Sequence, residues 1–187
     1  MKKNILIILY FIFLTNLSAQ SFGLKTGALN TTFSGPDTEN ITSRKGLYIG
    51  AFTKLGEGSI LFMPELVFHK RGADEVAETG AFIMNYIDLN VNGLFHFTDE
   101  LSLVIGPYIA IAVSGTKHSN IDDKIENIRN WDSYNRLDFG SNLGGMYQIS
   151  DLLHVNLTYS IGFVDVWKEE GLRNSSIQLG VGYVFGY

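Results

Sequence analysis

Glu65 and His69 are the first residues whose types suggest chemistry, a carboxylate and an imidazole four positions apart. Such groups exchange protons in general acid–base catalysis when they lie within hydrogen-bond reach. On an extended strand this spacing puts both on one face but about 13 Å apart, too far for a direct pair. Lys25, Asp88, His96 and Asp138 are further ionisable groups that fall on the polar sides of patterned segments. A lipid hydrolase or acyltransferase needs a nucleophile or base oriented by a carboxylate. The local candidate is His118-Ser119, near Asp122 and Asp123, without a recognisable spacing motif. Asp122, Asp123 and Glu126 could draw a divalent cation, but the pattern is not that of a calcium loop. The chain has no cysteine, which excludes disulfides, thiolate metal sites, thiol nucleophiles and covalent c-type haem.

The elements that must position these groups are strands. Hydrophobic residues alternate with small or polar ones at period two, the mark of strands with unlike faces. From Leu152 to Phe163, Leu153, Val155, Leu157, Tyr159, Ile161 and Phe163 alternate with His154, Asn156, Thr158, Ser160 and Gly162. From Tyr86 to Phe97, Ile87, Leu89, Val91, Phe95 and Phe97 oppose Asp88, Asn90, Asn92 and His96, with Leu94 as the exception. The last segment sets Ile177, Leu179, Val181, Tyr183 and Phe185 against Ser176, Gln178, Gly180 and Gly182. Weaker versions cover 22–29, 59–71, 101–114 and 136–149, the last setting Leu137, Phe139 and Leu143 against Asp138, Gly140 and Asn142. Leu47 to Leu55 is apolar on both faces and its sides stay open. Eight strands result, with no competing helical pattern.

Their connections, roughly 30–46, 56–59, 70–84, 98–100, 115–135, 150–151 and 164–174, alternate long and short. An up-and-down barrel in an outer membrane gives this alternation, with short periplasmic turns and longer external loops. Upstream, Lys2 and Lys3 precede an apolar run from Ile5 to Leu14, and Leu17-Ser18-Ala19 offers a cleavage site. That layout predicts a secretory signal peptide over 1–19 and a barrel domain over 20–187. Without the leader the chain carries 12 basic against 19 acidic residues. So acidic a chain argues against nucleic acid as a partner.

Which face points inward separates a membrane barrel from an exported, soluble, lipocalin-like barrel holding an apolar ligand. An eight-stranded barrel has an interior just wide enough for side chains to fill. The Gly, Ala, Ser and Asn faces fit that interior, whereas the bulky faces would overfill it. A soluble barrel would also coat itself with Lys, Glu, Asp and Arg. Here the polar faces are mostly uncharged, and charge gathers in the long loops. The bulky faces are therefore expected to meet lipid, and boundary aromatics such as Phe95, Phe97 and Tyr147 fit interfacial girdles.

Several segments resemble the PorT-like outer membrane protein beta-barrel family, often labelled porin family. They are Phe22-Gly23-Leu24-Lys25-Thr26-Gly27, Pro64-Glu65-Leu66-Val67-Phe68, Tyr86-Ile87-Asp88-Leu89, Gly106-Pro107-Tyr108, Asp138-Phe139-Gly140 and Leu179-Gly180-Val181-Gly182-Tyr183. The likeness runs from about residue 20 to 187. After Asp88 the chain departs from it, with Leu89-Asn90-Val91-Asn92 in place of an Ile-Pro-Leu-Leu-like run. The resemblance implies an eight-stranded outer-membrane barrel, one branch of the family serving protein secretion and gliding motility. A wide pore is not expected, since porin channels take roughly 16–18 strands.

The expectation is thus an all-β, eight-stranded antiparallel up-and-down transmembrane barrel without enzymatic activity, cofactor or metal. Outer-membrane lipid and other envelope proteins are its expected partners. A lipid-modifying enzyme stays open as an alternative. A structural polar network is expected in the lumen: Lys25, Glu65, His69, Asp88, Asn90, Asn92, His96, Asp138, Asn142, His154 and Asn156. Ile121, Ile125, Ile128 and Trp131 fall close to helical spacing in the third long loop. They predict a short amphipathic helix that packs on the barrel rim or docks a partner.

Overall fold

The computed structural model describes residues 20–187 apart from 37, 40, 77–79, 120–123, 169–170 and 187. The leader expected over 1–19 lies outside the described residues. The strands are β1 (Gln20–Ser34), β2 (Ile41–Leu55), β3 (Ile60–Val76), β4 (Phe82–His96), β5 (Leu101–Ser119), β6 (Lys124–Asn127), β7 (Leu137–Gln148), β8 (Leu153–Asp165) and β9 (Arg173–Gly186). All but β6 are staves of a closed antiparallel barrel. Each stave pairs with its chain neighbour, β5 pairs with β7, and β1 closes on β9. Short turns at 56–59, 97–100 and 149–152 mark one end, and the longer connections the other. In the first turn Gly56 and Gly58 take φ of 104° and 83°, a region open to glycine and costly for other residues.

Outward faces are apolar around the ring, and the exposed residues include Leu24, Ile49, Leu66, Leu89, Ile109 and Leu179. The open assignment of β2 resolves here. Leu47 and Ile49 point out, while Tyr48 and Phe52 point into the lumen. Leu94, the exception on its polar face, is buried in the lumen as well.

Large lumen residues fit because glycines face them. A methyl group on Gly180 would sit 2.0 Å from the Tyr48 hydroxyl, and one on Gly23 2.4 Å from the Phe52 ring. On Gly182 it would lie 2.3 Å from the His154 ring, and on Gly140 2.6 Å from the Tyr108 ring. The lumen is therefore not lined only by small residues, as the width argument suggested. Its volume is filled by tyrosine or phenylalanine on one stave and glycine on another.

The strands run well past the bounds the pattern gave. β3 has 17 residues and β5 has 19, where a tilted strand crosses a bilayer in about 9–11. Lys70-Arg71-Gly72-Ala73-Asp74 reads as loop, yet Gly72 and Ala73 pair with Ile83 and Phe82 on β4. Ala73 also pairs with Ser43 on β2. A bulge at Asn85/Tyr86 shifts the β4–β5 register, so Ser114 is exposed instead of facing the lumen.

Closure leaves no free stave edge to unzip. Without boiling, the folded barrel should keep its structure in SDS and migrate away from its boiled position on a gel. Identical migration before and after boiling would contradict a closed ladder.

Candidate functional site

The lumen is layered. Towards the short-turn end, Phe52, Met63, Leu94, Val104, Met146 and Val184 form an apolar stopper. Towards the long-loop end, Phe33, Ala73, Phe82, Met84 and Tyr134 close the barrel, with Trp131 and Trp167 packed against them. Trp167 lies tilted against Phe82 with ring centres 4.3 Å apart and meets Phe33 edge-on at 5.0 Å. Lys117 Nζ sits 4.9 Å from the centre of the Tyr134 ring, a cation–π contact within this outer cap.

Between the stoppers lies a polar belt. Lys25 Nζ donates to both carboxylate oxygens of Glu65 at 2.8 Å, and Asn90 Nδ2 donates to Glu65 Oε2 at 2.8 Å. These groups come from β1, β3 and β4, brought together because each lies on an inward position of its strand.

Next to them the Arg71 guanidinium bridges two carboxylates. It donates to Asp88, and to Asp138 Oδ2 at 2.9 Å. His69 Nε2 shares Asp88 Oδ2 at 2.8 Å. Tyr108 and Asn174 each donate to Asp138 Oδ2 at 3.1 Å. The guanidinium also lies 5.1 Å from the Tyr86 ring and 4.7 Å from that of Tyr108. Arg71, Asp88 and Asp138 are all almost fully buried. Buried charges persist only when paired and hydrogen-bonded, which this arrangement supplies.

Of the residues expected in the lumen network, Lys25 and Glu65 pair with each other, and His69, Asp88 and Asp138 gather around Arg71. Glu65 and His69 do not touch, each having its own partner. Asn142 Nδ2 donates to Asn92 at 3.3 Å and Asn142 accepts from Ser160 at 2.7 Å. Asn156 Nδ2 donates to the Tyr48 hydroxyl at 3.3 Å. His154 is buried against Phe52, ring centres 5.1 Å apart. His96 stands apart near the short-turn end, half-buried, its Nδ1 2.7 Å from Ser102 Oγ.

Sequence reasoning missed Arg71, Tyr48, Tyr86, Tyr108 and Asn174. For Arg71 the signal was present: period two carried one step beyond His69 places it inward. The polar run after it obscured that step.

The third long loop departs from expectation. Lys124–Asn127 is a strand, paired with Thr116–Ser119 of β5, so the helical stripe does not form there. Its spacing was ambiguous because an exposed ribbon can carry single apolar residues without any face to bury. Ile125 is 73 % exposed, whereas Ile128 and Trp131 pack on the outer cap. Ile121, Asp122 and Asp123 lie outside the described residues. His118 and Ser119 sit in the ribbon, opposite Ile125 and Lys124. Among the described residues no group of three His, Cys, Asp or Glu is placed to hold a metal ion.

A family model described as "Outer membrane protein beta-barrel domain" matches residues 18–168. Among the solved structures that share the fold are three small barrels. Neisserial surface protein A is 13 % identical, with 90 % of this chain and 100 % of that chain covered and a TM-score of 0.62. Ail, the attachment invasion locus protein of Yersinia pestis, solved with the heparin analogue sucrose octasulfate, is 13 % identical, with 89 % and 99 % covered and a TM-score of 0.55. OprG from Pseudomonas aeruginosa is 11 % identical, with 90 % and 97 % covered and a TM-score of 0.50. No curated protein matches the sequence. A closed eight-stave barrel, apolar outside and polar within, is what a strand-built protein needs to cross lipid, because every inter-strand hydrogen bond is made internally. The chain belongs to the outer membrane protein beta-barrel domain family and is a small barrel of the bacterial outer membrane.

Proposed function

We propose that this barrel is a sealed, non-enzymatic component of the outer membrane that works through its external rim, contacting other envelope or extracellular proteins. The observation that carries the reading is the filled lumen, a charged belt held between two apolar stoppers. Lys25, Glu65, His69, Asp88 and Asp138 are engaged with one another or with Arg71, and His154 lies against Phe52. The filled lumen gives them no approach for a substrate, which supports a fastening role over catalysis. Eight staves also leave no room for a porin channel.

The rim offers the exposed Ile125 and the partly covered indoles of Trp131 and Trp167, a surface suited to a protein partner. A sulfated glycan, such as the analogue bound to the Yersinia protein, would find several of the rim cations already engaged. Arg44 is paired with Asp74, Arg173 with Asp165, and Lys168 donates to the Asp132 carbonyl. The segments that resemble the PorT-like proteins support an accessory role beside other envelope proteins, secretion among them.

Two measurements test the reading together. The folded barrel in a planar lipid bilayer should show no steady conductance, and stable openings would overturn a sealed lumen. A photoreactive residue in place of Ile125 should cross-link to protein on intact cells. The same residue at Leu157 should label lipid alone, and an absence of protein adducts at Ile125 would remove the rim as the working surface.

A further inference from the structure

The outer wall is not uniformly bulky. Along β1 the outward positions run Phe22, Leu24, Thr26, Ala28, so the wall steps inward in its upper half. Ala28 pairs with Leu47 on one side and Leu179 on the other, and Thr26 with Ile49 and Val181. The small residues become the floor of a groove of about 520 Å³, lined also by Val155 and almost wholly apolar.

At the outer end of this groove the apolar face stops abruptly. The next outward position on β2 after Leu47 is Lys45, directly opposite Asn30 of β1. On β3 the next outward position after Phe68 is Lys70, one step beyond the Tyr48–His69 pair. Both lysines are exposed, and among the described residues neither has an ion-pair or hydrogen-bond partner. Arg44 and Lys25, on the neighbouring inward or rim positions, are by contrast paired with carboxylates.

We propose that Lys45, Lys70 and the groove along β1 form a binding site for an outer-leaflet lipid with a phosphorylated headgroup. One acyl chain lies over Ala28 and Thr26, and the phosphate is held by the two ammonium groups. Long basic side chains at the edge of an apolar band bury their stems and lift the charge to the headgroup level. Anionic headgroups attract basic residues placed there. Asn30, exposed beside Lys45, adds an amide donor at the same height. The groove lies below the lysines on a wall surrounded by acyl chains, which selects a lipid over a soluble anion. Fixed walls such as Leu47 and Leu179 let one chain be held where a flat wall would only graze it.

The test uses the mature barrel folded in nanodiscs of phosphatidylcholine doped with a diphosphorylated glycolipid or with its dephosphorylated counterpart. Lipid retained after transfer to mild detergent is read by native mass spectrometry. The parent should keep the phosphorylated lipid, and the double variant Lys45→Gln/Lys70→Gln should keep roughly 10–30-fold less. Ala28→Leu, which fills the groove and leaves both charges, should lose retention several-fold, and inorganic phosphate should not displace the lipid. Folding of every variant is checked by its gel shift on boiling, and if Ala28→Leu does not fold, the exposed lysine pair decides alone. Equal retention by parent and lysine variant would overturn the proposal. So would equal retention of the dephosphorylated lipid, or recovery of a dimer with the groove covered by a second copy.

Discussion

Arg71→Met should destabilise the folded barrel by about 3–5 kcal/mol, the range for removing one partner of a buried ion pair. The mutation keeps most of the side-chain volume but leaves Asp88 and Asp138 facing each other across a lumen closed above and below. Asp138 would retain the hydrogen bonds from Tyr108 and Asn174, and Asp88 that from His69, so neither carboxylate is stripped entirely. What is lost is the shared cation. The triple variant Arg71→Met/Asp88→Asn/Asp138→Asn should recover most of the stability, because the cost of a broken pair is chiefly the uncompensated charge left behind. Urea unfolding in lipid vesicles measures both, with stability taken from midpoint and slope. If Arg71→Met stays within about 1 kcal/mol of the parent, the magnitude expected for a pair open to water, the lumen is hydrated and the sealed-barrel reading fails with it.

Much of this belt could be read from residues alone, and the part that could not has physical causes. Lys25, Glu65, Asp88 and Asp138 stood out because strict alternation put a charge on a face of small and polar residues. Only one arrangement satisfies such a charge in a narrow barrel, which is contact with its opposite. Which opposite it meets is a matter of register across non-adjacent staves. Glu65 lies 40 residues from Lys25, and Arg71 lies 67 from Asp138. No local pattern encodes those separations.

Arg71 was hidden for a different reason. Gly72, Asp74 and Glu75 look like a loop, but β3 continues because β2 and β4 both extend beyond the bilayer and pair with it. The sides of β2 were unreadable because its inward tyrosine and phenylalanine are as apolar as its lipid face. Their place in the lumen is set by glycines more than 100 residues later in the case of Tyr48, and on the preceding strand in the case of Phe52. The ribbon at Lys124–Asn127 was misread because four exposed residues bury nothing, and periodicity informs only where a face is buried.

The orientation of the two faces underlies all of these claims, and Leu157 tests it most directly. Leu157 is 54 % exposed near the middle of β8, with Gly145 and Leu179 as its neighbours across the ladder. Leu157→Lys should cost about 2–4 kcal/mol, the penalty for a basic residue on the lipid face at the bilayer midplane. Phe163→Lys, also outward but close to the end of β8 at Asp165, should cost no more than about 1 kcal/mol, because a lysine near the interface reaches water. The gradient matters more than either value. In a soluble barrel with the faces reversed, Leu157 and Phe163 would both point into a packed interior, and both lysines would be costly without any such gradient. On the next residue the direction reverses. Asn156 is buried and donates to the Tyr48 hydroxyl, so Asn156→Leu removes that bond and adds an apolar branch beside Gly180, where the Tyr48 hydroxyl already fills the space. It should cost at least about 1–3 kcal/mol through overpacking. Reversible unfolding of the three variants in vesicles of one lipid composition gives the comparison. A harmless Asn156→Leu, with Leu157→Lys and Phe163→Lys equally costly, would turn the barrel inside out, and no reading of its lumen or its lipid groove would survive that result.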